Sequence, residues 1–175
     1  LRQREQSLVM KINNLTRADD SSGVPEFWLA KNLYQQYNLQ EYRRLKMFIH
    51  GGGIPGEVRP FEDSTYQLIL RLGQTYGRTE IGNNFYEIIT IVRPGWDPAN
   101  KIDMAFNDLS LLHGHRAAAG VTGRYAEQPA WRPPGDSIAI MGNPSFSNIG
   151  FIALGIRFVG GQGKYRHGRG DEIWV

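Results

Sequence analysis

The feature that most constrains the fold of this chain is an alternation of apolar and polar side chains with a period of two. In residues 44–50, for example, Leu45, Met47 and Ile49 share one side. Successive side chains of a β-strand point to opposite faces, so this alternation predicts strands. We expect seven or eight of them, among them residues 7–15, 44–50, 65–72, 84–92, 137–141, 150–159 and 172–175.

Helical spacing is much rarer in the sequence. Residues 26–37 carry Phe27, Ala30, Leu33, Tyr34 and Tyr37 at nearly helical intervals, which favours one short helix there. Residues 101–112 follow a Pro-Gly-Trp break, and 113–135 form a polar, Pro-rich region. Strands do not alternate with helices, so we expect a mainly all-β fold, an antiparallel two-sheet β-sandwich with at most one short helix.

Length and composition narrow the class of protein further. With 175 residues, the chain fits a single sandwich domain spanning 1–175, and its start at Leu1 without an apolar leader is expected of a fragment of a much larger protein. The 20 Lys and Arg against 17 Asp and Glu leave only a small positive excess, which does not imply nucleic acid. The longest charge-free stretch, 137–156, is interrupted by Gly, Asn and Pro, so no membrane span is expected.

Candidate metal ligands are sparse. Cysteine is absent, which excludes thiolate sites. His113 and His115 lack an identifiable third ligand, and a solvated loop is the favoured interpretation. The sequence leaves open a structural Ca²⁺ at Asp97, Asn100 and Asp103, although turn capping explains the same residues better. We therefore expect no cofactor beyond this unproven calcium ion.

No catalytic residues can be assigned from the sequence. Serine is common, but no G-x-S-x-G elbow marks a nucleophile. Carboxylate pairs such as Asp103 with Asp108 are better explained as solvated surface groups. We expect a protein that is not an enzyme.

The four tryptophans are the remaining candidates for a contact surface. Core packing is the default for an aromatic residue on a strand. Trp131 is different, because Pro133 and Pro134 follow it and oppose regular strand pairing, so its ring is expected to be exposed. Trp131 is the single candidate contact residue.

Two local arrangements predict structure rather than function. If the strands at 65–72 and 84–92 form an antiparallel pair, Arg71 can lie opposite Glu87 and pair with it. Gly142, Asn143 and Pro144 predict a turn between two strands.

Several phrases occur in an order that resembles a known family. They are EQSL at 5–8, NL at 14–15, YRRLKMFIH at 42–50, LRLG at 70–73, NFYEI at 84–88, GNPSFSNI at 142–149, IALGIR at 152–157 and EIWV at 172–175. Together they resemble the repeated domain of the SprA family, very large outer-membrane gliding-motility proteins that form the translocon of the type IX secretion system. The resemblance spans nearly the whole chain, apart from residues 51–56 and 113–134, where no family phrase is found.

The resemblance implies a non-enzymatic structural and interaction domain in the cell envelope, on the periplasmic or cell-surface side. Its partners would be the rest of the parent translocon and other secretion-system components. Similar sandwiches often look like jelly-roll, galactose-binding-like domains, an analogy of fold alone. The alternative function is therefore a carbohydrate-binding module for a surface glycan, and a glycan-acting enzyme is the third hypothesis. A binding module needs exposed aromatic rings with polar neighbours, whereas an enzyme needs paired carboxylates in a cleft.

Overall fold

A computed structural model describes residues 9–13, 26–52, 66–74, 83–159 and 169–174 of the chain. In chain order its elements are β1 (Val9–Asn13), β2 (Glu26–Tyr37), β3 (Arg44–Met47), β4 (His50–Gly52), β5 (Tyr66–Gly73), β6 (Phe85–Val92), a 3-10 turn (Pro98–Asn100), β7 (Ile102–Ala105), α1 (Phe106–Ala118), β8 (Tyr125–Glu127), β9 (Ser137–Met141), β10 (Ile149–Phe158) and β11 (Arg169–Trp174).

The main feature of the fold is an antiparallel sheet of six strands in the order β2-β10-β5-β6-β9-β8. Two smaller sheets accompany it, one of β1, β11 and β4 and one of β3 and β7. This is the mainly β, antiparallel sandwich with one helix that the alternation predicts. The strand predicted at 44–50 is divided into β3 and β4, which belong to different small sheets.

The larger of two buried hydrophobic clusters lies on one face of the six-stranded sheet. Alternate residues of β5 and β6, such as Leu68, Leu70 and Ile88, are almost completely buried there. They form one cluster with Met104 of β7 and Leu109 of α1. The helix and the β3–β7 pair thus provide the layer that closes this core.

The prediction of a short helix at Glu26–Tyr37 is wrong, because this segment is strand β2 and pairs with β10. Its pairing contains a large irregularity. Asn32 of β2 pairs with Phe151 of β10, and the next paired residues are Tyr37 and Ile149. Between these two pairs β2 therefore contains more residues than β10. Such an insertion interrupts the period-two alternation beyond Asn32, so it changes the phase of Leu33, Tyr34 and Tyr37, whereas Phe27 and Ala30 lie in the regularly paired part of the strand.

The helix of this structure is α1, which joins the end of the 101–112 stretch to the polar region after it. Three buried residues, Phe106, Leu109 and Leu112, follow one another at three-residue intervals and face the core. At its start, the Asp108 carboxylate accepts a hydrogen bond from the Ala105 backbone N–H at 3.3 Å. After its end, Gly120 has a φ of +66°, a backbone conformation that favours glycine.

The hairpin of β5 and β6 has the predicted register, and Arg71 lies opposite Glu87. Arg71 Nε is 2.6 Å from Glu87 Oε2, and the carboxylate is fully buried. Arg124 binds the other carboxylate oxygen, with Nη2 at 2.5 Å. The Arg71 guanidinium also lies over the rings of Trp28 and Phe85, at 4.3 and 4.2 Å from their centroids. The pairing prediction is confirmed, and the structure adds a second arginine to it.

None of the helices within the described residues has the length and apolar character needed to cross a membrane.

Candidate functional site

A groove of about 680 Å³ lies where the N-terminal part of α1 meets two loops. One wall is the α1 face that runs from Phe106 to His113. The others are residues 40–43, before β3, and residues 143–146, between β9 and β10. This volume falls within the range of about 300–1,000 Å³ that is typical of small-molecule sites.

Aromatic rings form the floor of the groove. The Tyr86 and Phe146 rings stack nearly in parallel, with centroids 4.3 Å apart. Phe106 meets Phe146 edge-on at 4.8 Å. All three residues are buried, so this floor is rigid and belongs to the core of the domain.

A triangle of polar atoms holds the side of the groove together. The Tyr86 hydroxyl donates to the Pro144 carbonyl oxygen at 2.9 Å. His113 Nε2 lies 3.0 Å from the Tyr86 oxygen and 3.1 Å from the same carbonyl. A carbonyl oxygen only accepts hydrogen bonds, so His113 Nε2 bonds to Pro144 when this nitrogen carries a proton. The phenol and the imidazole are therefore both used to anchor the 143–146 loop.

The protonation of Tyr86 agrees with this anchoring role. Burial raises the pKa of Tyr86 to about 12, and a hydrogen bond with the Ser110 side chain opposes the rise. Tyr86 is consequently protonated at neutral pH, and its hydroxyl group donates a hydrogen bond to the Pro144 carbonyl oxygen.

The rim of the groove is polar and exposed. Arg43 lies on it with the amide side chains of Gln40, Asn107 and Asn143, and all four residues are exposed. Their side-chain polar groups make no hydrogen bond or ion pair with the part of the chain that the structure describes. The ring of Tyr42, also on the rim, is 61% exposed. The groove thus combines an apolar floor with polar groups that are available to a ligand.

Trp131, the candidate contact residue, lies outside this groove. It is 49% exposed, as the two prolines after it led us to expect. It lies in a turn in which the Arg132 backbone N–H donates a hydrogen bond to the Pro129 carbonyl oxygen at 3.0 Å. The guanidinium of Arg132 is 6.0 Å from the centroid of its ring. That guanidinium is itself fixed by an ion pair with buried Asp136. Trp131 is therefore an exposed ring on a well-anchored turn, and its contact role stays a prediction.

The three candidate calcium ligands have separate structural tasks. Asp97 accepts a hydrogen bond from Ala99 N at 2.7 Å, as a cap of the 3-10 turn. Buried Asn100 accepts from Arg93 N at 2.7 Å. Asp103 is paired with Lys101 and Arg44, which together lower its pKa to about 2. Within the described ranges, no group of three or more His, Asp or Glu is placed to hold a metal ion.

The two candidate histidines are in a helix rather than in the predicted solvated loop. Both belong to α1, but they have different partners. His113 belongs to the groove, whereas His115 Nδ1 lies 3.0 Å from the Glu127 carboxylate on β8. The structure therefore does not bring the two imidazoles to a common ligand.

The groove could not be predicted from the sequence, because its walls come from three distant segments. One signal was present, since Phe106, Ser110 and His113 recur at helical spacing and a helix would place them on one face. The turn predicted at 142–144 is present, with Gly142 at a φ of +66°, and it leads directly into the groove wall.

Similarity to known proteins identifies the family of the chain. No curated protein matches it. A family model, SprA_N, described as motility related/secretion protein, matches residues 1–174. Because the match extends over nearly the entire chain and agrees with the order of the phrases noted in the sequence, the protein belongs to the SprA_N family of motility- and secretion-related proteins.

Proposed function

We propose that this chain is a non-enzymatic structural and interaction domain of a SprA-like outer-membrane translocon, used in type IX protein secretion and gliding motility. The observation that carries this proposal is the family match over residues 1–174. A motility- and secretion-related family indicates an association with the cell envelope. The partners we propose are the remainder of the parent protein and other components of the secretion system.

The internal bonding of the polar groups supports a role that is not enzymatic. An enzyme needs titratable groups that face a substrate. Here Glu87 is paired with two arginines, and Asp136 is paired with Arg132. Tyr86 and His113, the titratable pair beside the groove, are both directed at the Pro144 carbonyl. These groups stabilise the fold and the loops that surround the groove.

The exposed surface supports an interaction role. Tyr34 on β2 is fully exposed, and Phe48 and Trp96 are exposed by 60% and 65%. Tyr, Trp and Phe are enriched in protein–protein interfaces relative to the rest of the protein surface. Among the described residues, β2 is also an edge strand of the main sheet, and such an edge can pair with a strand of a neighbouring domain.

The test is an in-frame deletion of residues 1–175 in cells whose SprA-family protein contains this chain. We expect lost or reduced protein secretion and lost surface spreading. A photo-crosslinking residue at Tyr34 or Trp96 should then capture another part of the parent protein or a secretion component. Position 122, where polar Thr122 is exposed, serves as the surface control. Normal secretion and spreading in the deletion strain, with the parent present at its usual level, would contradict the proposal.

A carbohydrate-binding module remains the alternative function, and the exposure of Trp131 is the observation that favours it. A glycan array probed with the purified chain separates the two proposals. A reproducible hit that is abolished by Trp131→Ala supports the module. An array without a hit that depends on Trp131, from a chain that melts cooperatively, supports the translocon domain.

A further inference from the structure

We propose that the groove beside α1 binds a saccharide that carries a carboxylate group, such as a uronic-acid oligosaccharide. This inference goes beyond the proposed function and does not depend on it. The groove is also separate from Trp131, so the two sites can be tested independently.

The charge of the groove indicates an acidic ligand. Arg43 is on the rim, is exposed, and has no ion-pair partner in the described part of the chain. The residues that line the groove include no Asp or Glu, although Glu41 stands between two of them in sequence. An unpaired guanidinium can bind a carboxylate through two parallel hydrogen bonds. A carboxylate ligand would supply the partner that Arg43 lacks.

The other rim groups indicate that the rest of the ligand is rich in hydroxyl groups. The amides of Gln40, Asn107 and Asn143 each carry two N–H donors and one accepting oxygen. A sugar hydroxyl both donates and accepts, so neighbouring hydroxyls can form paired hydrogen bonds with one amide. Three amides around one opening therefore suit a polyhydroxylated ring better than they suit an apolar ligand.

Tyr42 completes the site with an exposed aromatic face. Its ring is 61% exposed at the edge of a groove whose other rings are buried. The C–H groups on one side of a sugar ring form an apolar surface that can pack on such a face, and the polar edge then remains free for the amides. A peptide is disfavoured as the ligand, because the apolar side chains that anchor a peptide need accessible pockets, whereas Phe106 and Phe146 are only 8% and 5% exposed.

The groove is formed before any ligand binds. Phe106 N donates to the Arg43 carbonyl at 3.2 Å, which ties residues 40–43 to the start of α1. Leu39 N donates to the Phe146 carbonyl at 2.7 Å, which ties the same segment to the opposite loop. Tyr86 and His113 fix Pro144 through its carbonyl oxygen. A preformed site loses little conformational entropy on binding, so even a weak set of contacts yields measurable affinity.

The experiment is calorimetric titration of the 175-residue chain with tetragalacturonate, and with maltotetraose as the neutral control of equal length. We expect binding of the acidic sugar and at least tenfold weaker binding of the neutral one. Arg43→Gln should weaken tetragalacturonate binding at least tenfold and remove most of the preference for it. Tyr42→Ala should weaken binding of the acidic sugar at least tenfold. Trp131→Ala is the matched aromatic control and should leave the affinity unchanged.

Three outcomes would overturn the proposal. The first is no binding of tetragalacturonate at millimolar concentration by a chain that melts cooperatively. The second is equal affinity for both sugars, or an unchanged affinity after Arg43→Gln, which would refute the carboxylate assignment. The third is binding that survives Tyr42→Ala and is lost with Trp131→Ala, which would place the sugar elsewhere. Secretion in the deletion strain is a separate measurement, so a failure here leaves the proposed function standing.

Discussion

Replacement of Glu87 by glutamine tests whether the buried carboxylate is held by charge as well as by shape. Glu87 is fully buried and lies between two guanidinium groups, Nε of Arg71 at 2.6 Å and Nη2 of Arg124 at 2.5 Å. Glutamine has nearly the same volume, but its amide nitrogen would face an arginine donor, and both guanidinium groups would lose their counter-charge. Breaking a buried ion pair by altering one partner costs about 3–5 kcal/mol. We expect Glu87→Gln to lower the free energy of unfolding by about this amount.

The assay is equilibrium urea unfolding, followed by tryptophan fluorescence and by circular dichroism. A chain of this size unfolds with an m value of about 2 kcal/mol per molar urea, so the midpoint should fall by about 1.5–2.5 M with m unchanged. Asp103→Asn is the matched control, since Asp103 also contacts two cations but lies at the surface. Its midpoint should move little. The reasoning is refuted if the two variants shift the midpoint equally, or if Glu87→Gln shifts it by less than about 0.5 M at constant m.

Three further predictions concern the backbone and the pH dependence. Gly142→Ala should lower the free energy of unfolding by about 1–3 kcal/mol, because Gly142 has a φ of +66° and an added Cβ would meet Asn83 and Asn84. Gly114→Ala should raise the free energy of unfolding by about 0.5–1 kcal/mol, because Gly114 lies in α1 with open space around it. Urea unfolding measures both variants, and a destabilising Gly114→Ala would contradict the second prediction. Burial raises the pKa of Tyr86 from 10.0 to about 12, so the stability that the protonated Tyr86 side chain contributes is complete below pH 10 and is lost as the pH rises to 12. Tyr86→Phe should therefore flatten the fall in melting temperature at alkaline pH. A fall of unchanged steepness would refute this prediction. The pKa of Asp103 is lowered from 3.8 to about 2 by its contacts with Lys101 and Arg44, so its contribution to stability is present above pH 4 and disappears towards pH 2. Because water screens this exposed carboxylate, the contribution is small, and the acid-side fall in melting temperature should be only slightly less steep in Asp103→Asn than in the unaltered chain.

Where alternation is uninterrupted, the sequence was enough to predict both the strand and its pairing. β5 alternates over its eight residues, β6 has apolar residues on both faces, and the two strands pair in the regular antiparallel register that matches Arg71 with Glu87. In β2, the irregular pairing between Asn32 and Tyr37 moves Leu33, Tyr34 and Tyr37 out of phase with the regularly paired part that contains Phe27 and Ala30. That insertion is a property of how two strands pair, and a sequence read alone does not contain it.

The helix was missed for a different reason. Its apolar face is narrow, with Phe106, Leu109 and Leu112 as the buried residues, and the positions between them hold three polar side chains and the exposed Leu111. The preceding strand β7 ends at Ala105 and α1 begins at the next residue, Phe106, without a turn residue to mark the change of period. Asp108 at the third helical position, which bonds back to Ala105, was the available signal for a helix start.

The groove shows why its binding role must be tested through side chains that do not also hold it together. Tyr86 and His113 both bond the Pro144 carbonyl, and a variant of either would change the loop as well as any ligand contact. Arg43 and Tyr42, by contrast, are exposed on the rim. The hydrogen bond from Arg43 to α1 uses the Arg43 backbone carbonyl and not its side chain. Replacing those two side chains leaves that backbone bond in place. A loss of binding in Arg43→Gln with an unchanged melting temperature therefore reports ligand recognition, whereas the same loss in His113→Ala would not separate recognition from collapse of the 143–146 wall.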